Sequence, residues 1–357
     1  MDSHLGTGPQ LPPPGERRRV TPFPGDPAPV NASVHPPRRS PSLSADSPSV
    51  VVGADDGGEI RMAYSEHGDP GASLQVVLLH GLFDHKGTWS ALAPRLAEAG
   101  YRVIAPDLVG FGRSSKPGFR SWPASRRYGA EAHVGFLRAF VESLGLDEVV
   151  LAGNSFGGGV FLRSLCTPWP GGPRVRGLVL ESASGYPQAR PPFVRLLSGL
   201  PGWLLPNRRV LGIGLATGLA RVIVRSTLRR VFHDPSRIPE ELVDQAIDIL
   251  REPNTLYAYR AAARNLVPGD IARFTRAYRK IDVPTLVLWG AEDRIVPSRF
   301  ATLFEAELPD ATLHVFDECG HAPHLEYPAE TARLIRDWME RRVTGEPSPA
   351  PCEGDRT

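Results

Sequence analysis

The chain has 357 residues, of which 41% are apolar and 22% charged, with a formal net charge of +2. That composition fits a core-forming globular protein, and the near-neutral charge excludes a nucleic-acid binder that relies on a strong global field. Three cysteines (Cys166, Cys319 and Cys352) are too few and too scattered for a disulfide framework or a Cys-rich zinc site, and no apolar run reaches the ~18 residues of a membrane span.

Residues 1–50 hold twelve of the 37 prolines, together with Arg17, Arg18, Arg19, Arg38 and Arg39. Proline fixes φ and removes a donor, so this stretch is predicted to be a disordered tail. It contains no apolar segment of the kind that drives secretion, which predicts a cytoplasmic protein. Residues 344–357 are again proline-rich and polar and are predicted to be flexible.

Between the tails, short apolar runs alternate with helical patterns. Residues 74–79 (LQVVLL), 149–152, 178–180, 285–289 and 312–316 are predicted strands without clean period-2 alternation, as expected when both faces are covered. Helical patterns occupy residues 89–99, 130–144, 156–165, 298–308 and 329–343. The alternation predicts an α/β fold with a mostly parallel central sheet and helices on both faces. Residues 51–183 and 281–343 form this core. Residues 184–280 contain no convincing strand. Helical patterns appear there instead, at 193–200, 210–232, 240–250 and 256–265, which predicts a helical cap over the strand ends. Ligands bind at the carboxyl ends of strands in such sheets, so the residues that follow each strand matter most.

Gly153-Asn154-Ser155-Phe156-Gly157 follows one predicted strand directly and opens a helix. A sharp strand-to-helix turn needs small flanking residues and lifts the Ser155 hydroxyl above the sheet, which makes it a candidate nucleophile. A hydroxyl needs a base. His321, after Gly320 and the strand at 312–316, is the leading candidate, with His324 as its rival and a polar contact behind the site as the plainer role for His324. The imidazole needs an orienting acid. Asp293, in the turn after the strand at 285–289, is preferred over its neighbour Glu292 and over Glu181 at another strand end. The N–H groups of Leu82 and Phe156 can form an oxyanion hole, with Phe83 as the alternative to Leu82. His80 is predicted to be structural.

Five pieces stand in order along the chain: His80-Gly81, the stretch Asp107-Leu108-Val109-Gly110-Phe111-Gly112-Arg113-Ser114, the Ser155 turn, Gly290-Ala291-Glu292-Asp293 and Gly320-His321. On these the chain resembles the α/β-hydrolase superfamily over about residues 58–341. The resemblance implies a serine-hydrolase mechanism through an acyl-enzyme, with no metal and no organic cofactor. Epoxide hydrolases and haloalkane dehalogenases look similar but carry an aspartate where this chain has Ser155. Hydrolases of C–C bonds in ring-cleavage products share the Gly-Asn-Ser-Phe-Gly-Gly turn, but typically place a tryptophan after the histidine, where this chain has Ala322-Pro323. A carboxylesterase or lipase-like enzyme acting on a small or lipid-like ester is therefore the expected function. The alternatives are a C–C hydrolase, an amidase or thioesterase, or a ligand receptor on the same fold.

From Arg190 to His233 the sequence has eight arginines and no acid, among Leu, Val, Ile and Trp203. Solvated arginines on an ordinary cap explain this pattern. So does a peripheral contact with an anionic membrane surface. Aromatic residues do not interleave with the arginines, which argues against nucleic acid.

Overall fold

A computed structural model describes residues 47–55, 57–120, 122–199 and 208–345. The proline-rich stretch before residue 47, the tail after residue 345 and Trp203 lie outside the described residues.

Eight strands form one sheet: β1 Ser49–Asp55, β2 Gly58–His67, β3 Gln75–Leu79, β4 Arg102–Pro106, β5 Glu148–Asn154, β6 Arg174–Glu181, β7 Thr285–Gly290 and β8 Ala311–Phe316. Their order across the sheet is β1-β2-β4-β3-β5-β6-β7-β8. β2 pairs antiparallel with both β1 and β4, and every other pairing is parallel. The fold is that of the α/β hydrolases.

The central strands carry continuous apolar runs because each faces a core on both sides. Val77, Leu151, Leu180 and Trp289 pack on one face, while Val76, Val150, Val179 and Leu288 pack on the other. The period of two that is hidden in these runs thus divides one apolar segment between two cores. β1, β2 and β4 go beyond the predicted strands. β2 alternates buried Ile60 and Met62 with exposed Glu59 and Arg61, so it offers no continuous apolar run. β4 is five residues long and ends on Pro106.

Helices α1 Ala93–Glu98, α2 Ala130–Ser143, α3 Phe156–Leu165, and, beyond β7, α10 Arg299–Glu307, α11 Pro323–Glu326 and α12 Pro328–Met339 belong to this layered body. Between β6 and β7 the described residues form helices and no strand: α4 Pro192–Gly199, α5 Arg208–Ala216, α6 Leu219–Val231, α7 Glu240–Arg251, α8 Thr255–Arg264 and α9 Ile271–Thr275. The single helix expected over residues 210–232 is two. Gly218, at φ +75°, adopts a left-handed conformation and breaks the run between α5 and α6. α12 ends earlier than expected, and residues 340–344 continue as a π-turn.

Candidate active site

Ser155 sits between β5 and α3 with φ +52° and ψ −116°, a conformation that costs a non-glycine residue strain. The strain is held by backbone bonds on both sides. The Ser155 N–H donates to the Glu181 carbonyl at 2.9 Å, and the Ser155 carbonyl accepts from Ser184 at 2.9 Å. Gly157 lies so close to β3 that a Cβ there would stand 2.4 Å from the Leu79 carbonyl oxygen. The small residues of the turn are therefore required by close approach. Ser155 is buried, with 7% of its surface exposed.

His321 and Asp293 follow β8 and β7, which are neighbours in the sheet. Their side chains meet at 2.8 Å between Nδ1 and Oδ2, and both are buried. The other oxygen of Asp293, Oδ1, accepts the N–H groups of Ile295 and Val296 at 2.8 and 2.9 Å. With the carboxylate fixed in this way, Nδ1 carries the proton and Nε2 is free to accept one. The serine turn and the histidine loop are also tied directly, because the Asn154 amide donates to the His321 carbonyl at 3.2 Å.

The loop after β3 lies against the serine. A Cβ on Gly81 would stand 3.2 Å from Ser155 Cβ. The N–H groups of Leu82 and Phe83 have no acceptor among the described residues, and that of Phe156, first in α3, has none within its helix. Phe83 adopts φ +65°. Its ring meets Tyr259 of α8 at 4.9 Å and Phe193 of α4 at 6.2 Å, so the helical segment covers this loop with aromatic surface. Of the cations on the flanking loops, Lys86 is committed to Asp107, Arg113 to Glu252 and Lys116 to the Gly112 and Ser114 carbonyls.

The rival residues have other partners. Glu181 Oε1 accepts both the backbone N–H and Nδ1–H of His324, at 2.7 and 2.9 Å. Nε2 of His324 meets the Thr88 hydroxyl at 2.8 Å, and its ring packs on Trp89 at 4.1 Å between centroids. Glu181 and His324 thus form a separate buried pair. Glu292 is exposed. His80 Nε2 accepts the Leu108 N–H at 3.0 Å, which leaves Nδ1–H to donate to the Gly81 carbonyl at 2.8 Å. His80 therefore braces the loop after β3 through both ring nitrogens.

Three features went unread in the sequence. Glu326 is buried, and its Oε1 accepts the Gly320 N–H at 2.7 Å. Its Oε2 accepts the N–H groups of His233 and Asp234, at 2.9 and 3.3 Å, just past the end of α6. The His321 N–H donates to the Val231 carbonyl, the last residue of that helix, at 2.7 Å. Gly320 is packed so tightly here that a Cβ would stand 2.2 Å from the same carbonyl oxygen. An acid five positions after the histidine, inside the buried stretch before Tyr327-Pro328, was the available signal. The second feature is Asp107. Burial raises its carboxyl pKa, but the Lys86 ammonium, the neighbouring His80 and His85 and the Arg113 N–H together outweigh burial, and the net shift is downward. The third is His133 on α2, whose ring stands 5.3 Å from that of Phe156 with neither nitrogen partnered among the described residues. Burial lowers its pKa to about 3.

A mostly parallel α/β sheet carrying a serine on a strained turn, with an acid and a histidine at adjacent strand ends, defines the class, and residues 76–334 match the alpha/beta hydrolase family. The chain belongs to that family and is a hydrolase. Among curated relatives, it is 30% identical to the 2-hydroxy-6-oxo-2,4-heptadienoate hydrolase of Pseudomonas putida, over 76% of this chain and 91% of that protein. Among solved structures, it is similar to the 2-hydroxy-6-oxo-6-phenylhexa-2,4-dienoate hydrolase of a Rhodococcus species (25% identity, TM-score 0.65, 82% of this chain and 96% of that one). It is also similar to a thermophilic esterase from Thermogutta terrifontis (26% identity, TM-score 0.62, 83% of this chain and 100% of that one). Among the described residues no helix is long and apolar enough to cross a membrane.

Proposed function

We propose that the chain hydrolyses an uncharged carboxylic ester through an acyl-enzyme. Ser155 Oγ attacks the ester carbonyl while His321 Nε2 takes its proton. Asp293 holds the imidazole in the tautomer that leaves Nε2 free and stabilises the imidazolium that forms. The N–H groups of Leu82 and Phe156 receive the oxyanion, with Phe83 as the alternative first donor. His321 returns the proton to the leaving alkoxide. A water activated by the same imidazole then cleaves the acyl-enzyme. Residues 184–280 act as the cap that shields these steps.

The observation that carries the ester reading is the pairing of the Asp293–His321 contact with an apolar cover formed by Phe83, Phe193 and Tyr259. Lys86 and Arg113 are paired with acids, which leaves a neutral acyl group as the better fit than a carboxylate-bearing one. A second reading, cleavage of a C–C bond in a dienoate ring-cleavage product, is favoured by the named relatives from Pseudomonas and Rhodococcus. Turnover on p-nitrophenyl esters from acetate to palmitate, beside a 2-hydroxy-6-oxo-dienoate, tests both. Ester turnover that falls by about 10⁴–10⁶-fold in Ser155→Ala supports the proposal. Turnover confined to the dienoate replaces it with the C–C reading. Absence of turnover on either, in a folded protein, points to amide or thioester substrates or to a ligand receptor.

A further inference from the structure

Five large apolar side chains on α4 to α6 stand in solvent: Leu196, Ile213, Leu219, Val222 and Ile223, each more than half exposed. On α6, Leu219, Val222 and Ile223 fall at positions i, i+3 and i+4 and so share one face, which Arg230 continues. Toward the protein α6 sets buried Ala220 and half-buried Val224, Leu228 and Val231, and its flank carries two ion-paired arginines. There Arg221 pairs with Glu240 and Asp244 of α7, and Arg225 with Glu240. α6 thus carries a second apolar stripe, turned to solvent, in addition to the one that packs on the protein. Beside this face Arg229 and Arg230 are exposed, with no acid partner among the described residues. Residues 208–233 contain no acid.

We propose that the exposed face of α6 docks on an anionic lipid surface, with Leu219, Val222 and Ile223 entering the headgroup boundary and Arg229 and Arg230 meeting the lipid phosphates. An exposed apolar stripe rimmed by unneutralised arginines is what such an interface attracts. A second copy of the chain fits less well, because a two-fold contact through α6 would bring the arginines of both copies together without acids to balance them. The far end of the same helix reaches the histidine loop through the Val231 carbonyl. The docking does not depend on which bond Ser155 attacks, and its test reads binding rather than turnover.

The experiment is sedimentation of the full chain with vesicles of phosphatidylcholine alone and of phosphatidylcholine with phosphatidylglycerol, at low and high salt. Val222→Glu with Ile223→Glu forms one double variant, and Arg229→Glu with Arg230→Glu the other. Binding to the anionic vesicles at low salt is expected, with a loss of about tenfold or more in high salt and in each double variant. Circular dichroism melts matching the wild type keep a folding defect from being read as lost binding. Equal binding to neutral vesicles, no binding to either, or binding that survives both double variants overturns the proposal. So does a wild-type dimer in analytical ultracentrifugation that the Val222→Glu, Ile223→Glu protein no longer forms, because the face is then a contact between copies.

Discussion

His321 and Asp293 meet across the ends of two adjacent parallel strands, with Nδ1–H donating to Oδ2 at 2.8 Å while Oδ1 is held by the N–H groups of Ile295 and Val296. Both oxygens are committed, so the carboxylate cannot turn without breaking a bond. Asp293→Asn puts an NH₂ group where one of three donors needs an acceptor. The expected result is a fall in turnover of about 10³–10⁴-fold with the fold retained. Glu181→Gln is the contrast. Glu181 serves His324, so its loss should lower the melting temperature and leave turnover within about tenfold. Steady-state kinetics on both variants checks the assignment, and the reverse pattern would move the acid to Glu181.

Glu326 joins two parts of the molecule that are distant in sequence. One carboxylate accepts N–H groups from the histidine loop and from the chain just past α6. Glu326→Ala leaves the buried Gly320 N–H without a partner, at about 1–3 kcal/mol, and exposes the half-buried N–H groups of His233 and Asp234 to water at a smaller cost. Glu326→Gln keeps the volume but sets an NH₂ group against at least one N–H. We expect the Gln variant to fold with a lowered melting temperature and to lose more than about tenfold in kcat with little change in KM, because the loop that aims His321 is loosened. A Gln variant with wild-type kcat would reduce Glu326 to a purely structural clamp.

The candidate site was more legible in the sequence than the frame around it, for a physical reason. Ser155 follows the buried strand β5 directly, Asp293 and His321 come three and five residues after β7 and β8, and strands of this kind announce themselves as apolar runs. The turn at Ser155 also demands small residues at fixed spacing. β2 carries no such run, because its outer face is wet and its inner residues Ile60 and Met62 alternate with Glu59 and Arg61. The break between α5 and α6 turned on Gly218 alone, within a stretch that is otherwise helical in pattern. Glu326 was invisible as a clamp because its partners, backbone N–H groups at residues 233, 234 and 320, leave no side-chain signature.

The buried Lys86–Asp107 pair holds the loop after β3 to the loop after β4, with both side chains 5% exposed or less. Asp107 also accepts the backbone N–H of Arg113 at 2.8 Å. Lys86→Met removes one charge and strands the other. A loss of about 3–5 kcal/mol in urea unfolding is expected, since an unpaired buried charge costs more than the pair contributes. Adding Asp107→Asn to that variant should recover part of the loss. A double variant less stable than Lys86→Met would show that the backbone bonds to Asp107 from Lys86 and Arg113, not the ion pair, hold the loop.

His133 gives the protein an acid-sensitive point behind Phe156. Its ring lies among Phe111, Phe136 and Phe156, and burial lowers its pKa from 6.5 to about 3. The unfolded chain therefore takes up this proton first as pH falls. The stability that the neutral ring contributes is complete above about pH 6.5 and is lost toward pH 3, at about 1.4 kcal/mol per unit. His133→Phe removes the titrating group and keeps an aromatic ring in the space. Between pH 7.5 and 4.5 the wild type should lose about 2–3 kcal/mol more than this variant in urea unfolding. Equal losses in the two proteins would mean that His133 accepts its proton in the folded state at an ordinary pH, through a partner reached when the aromatic cluster opens.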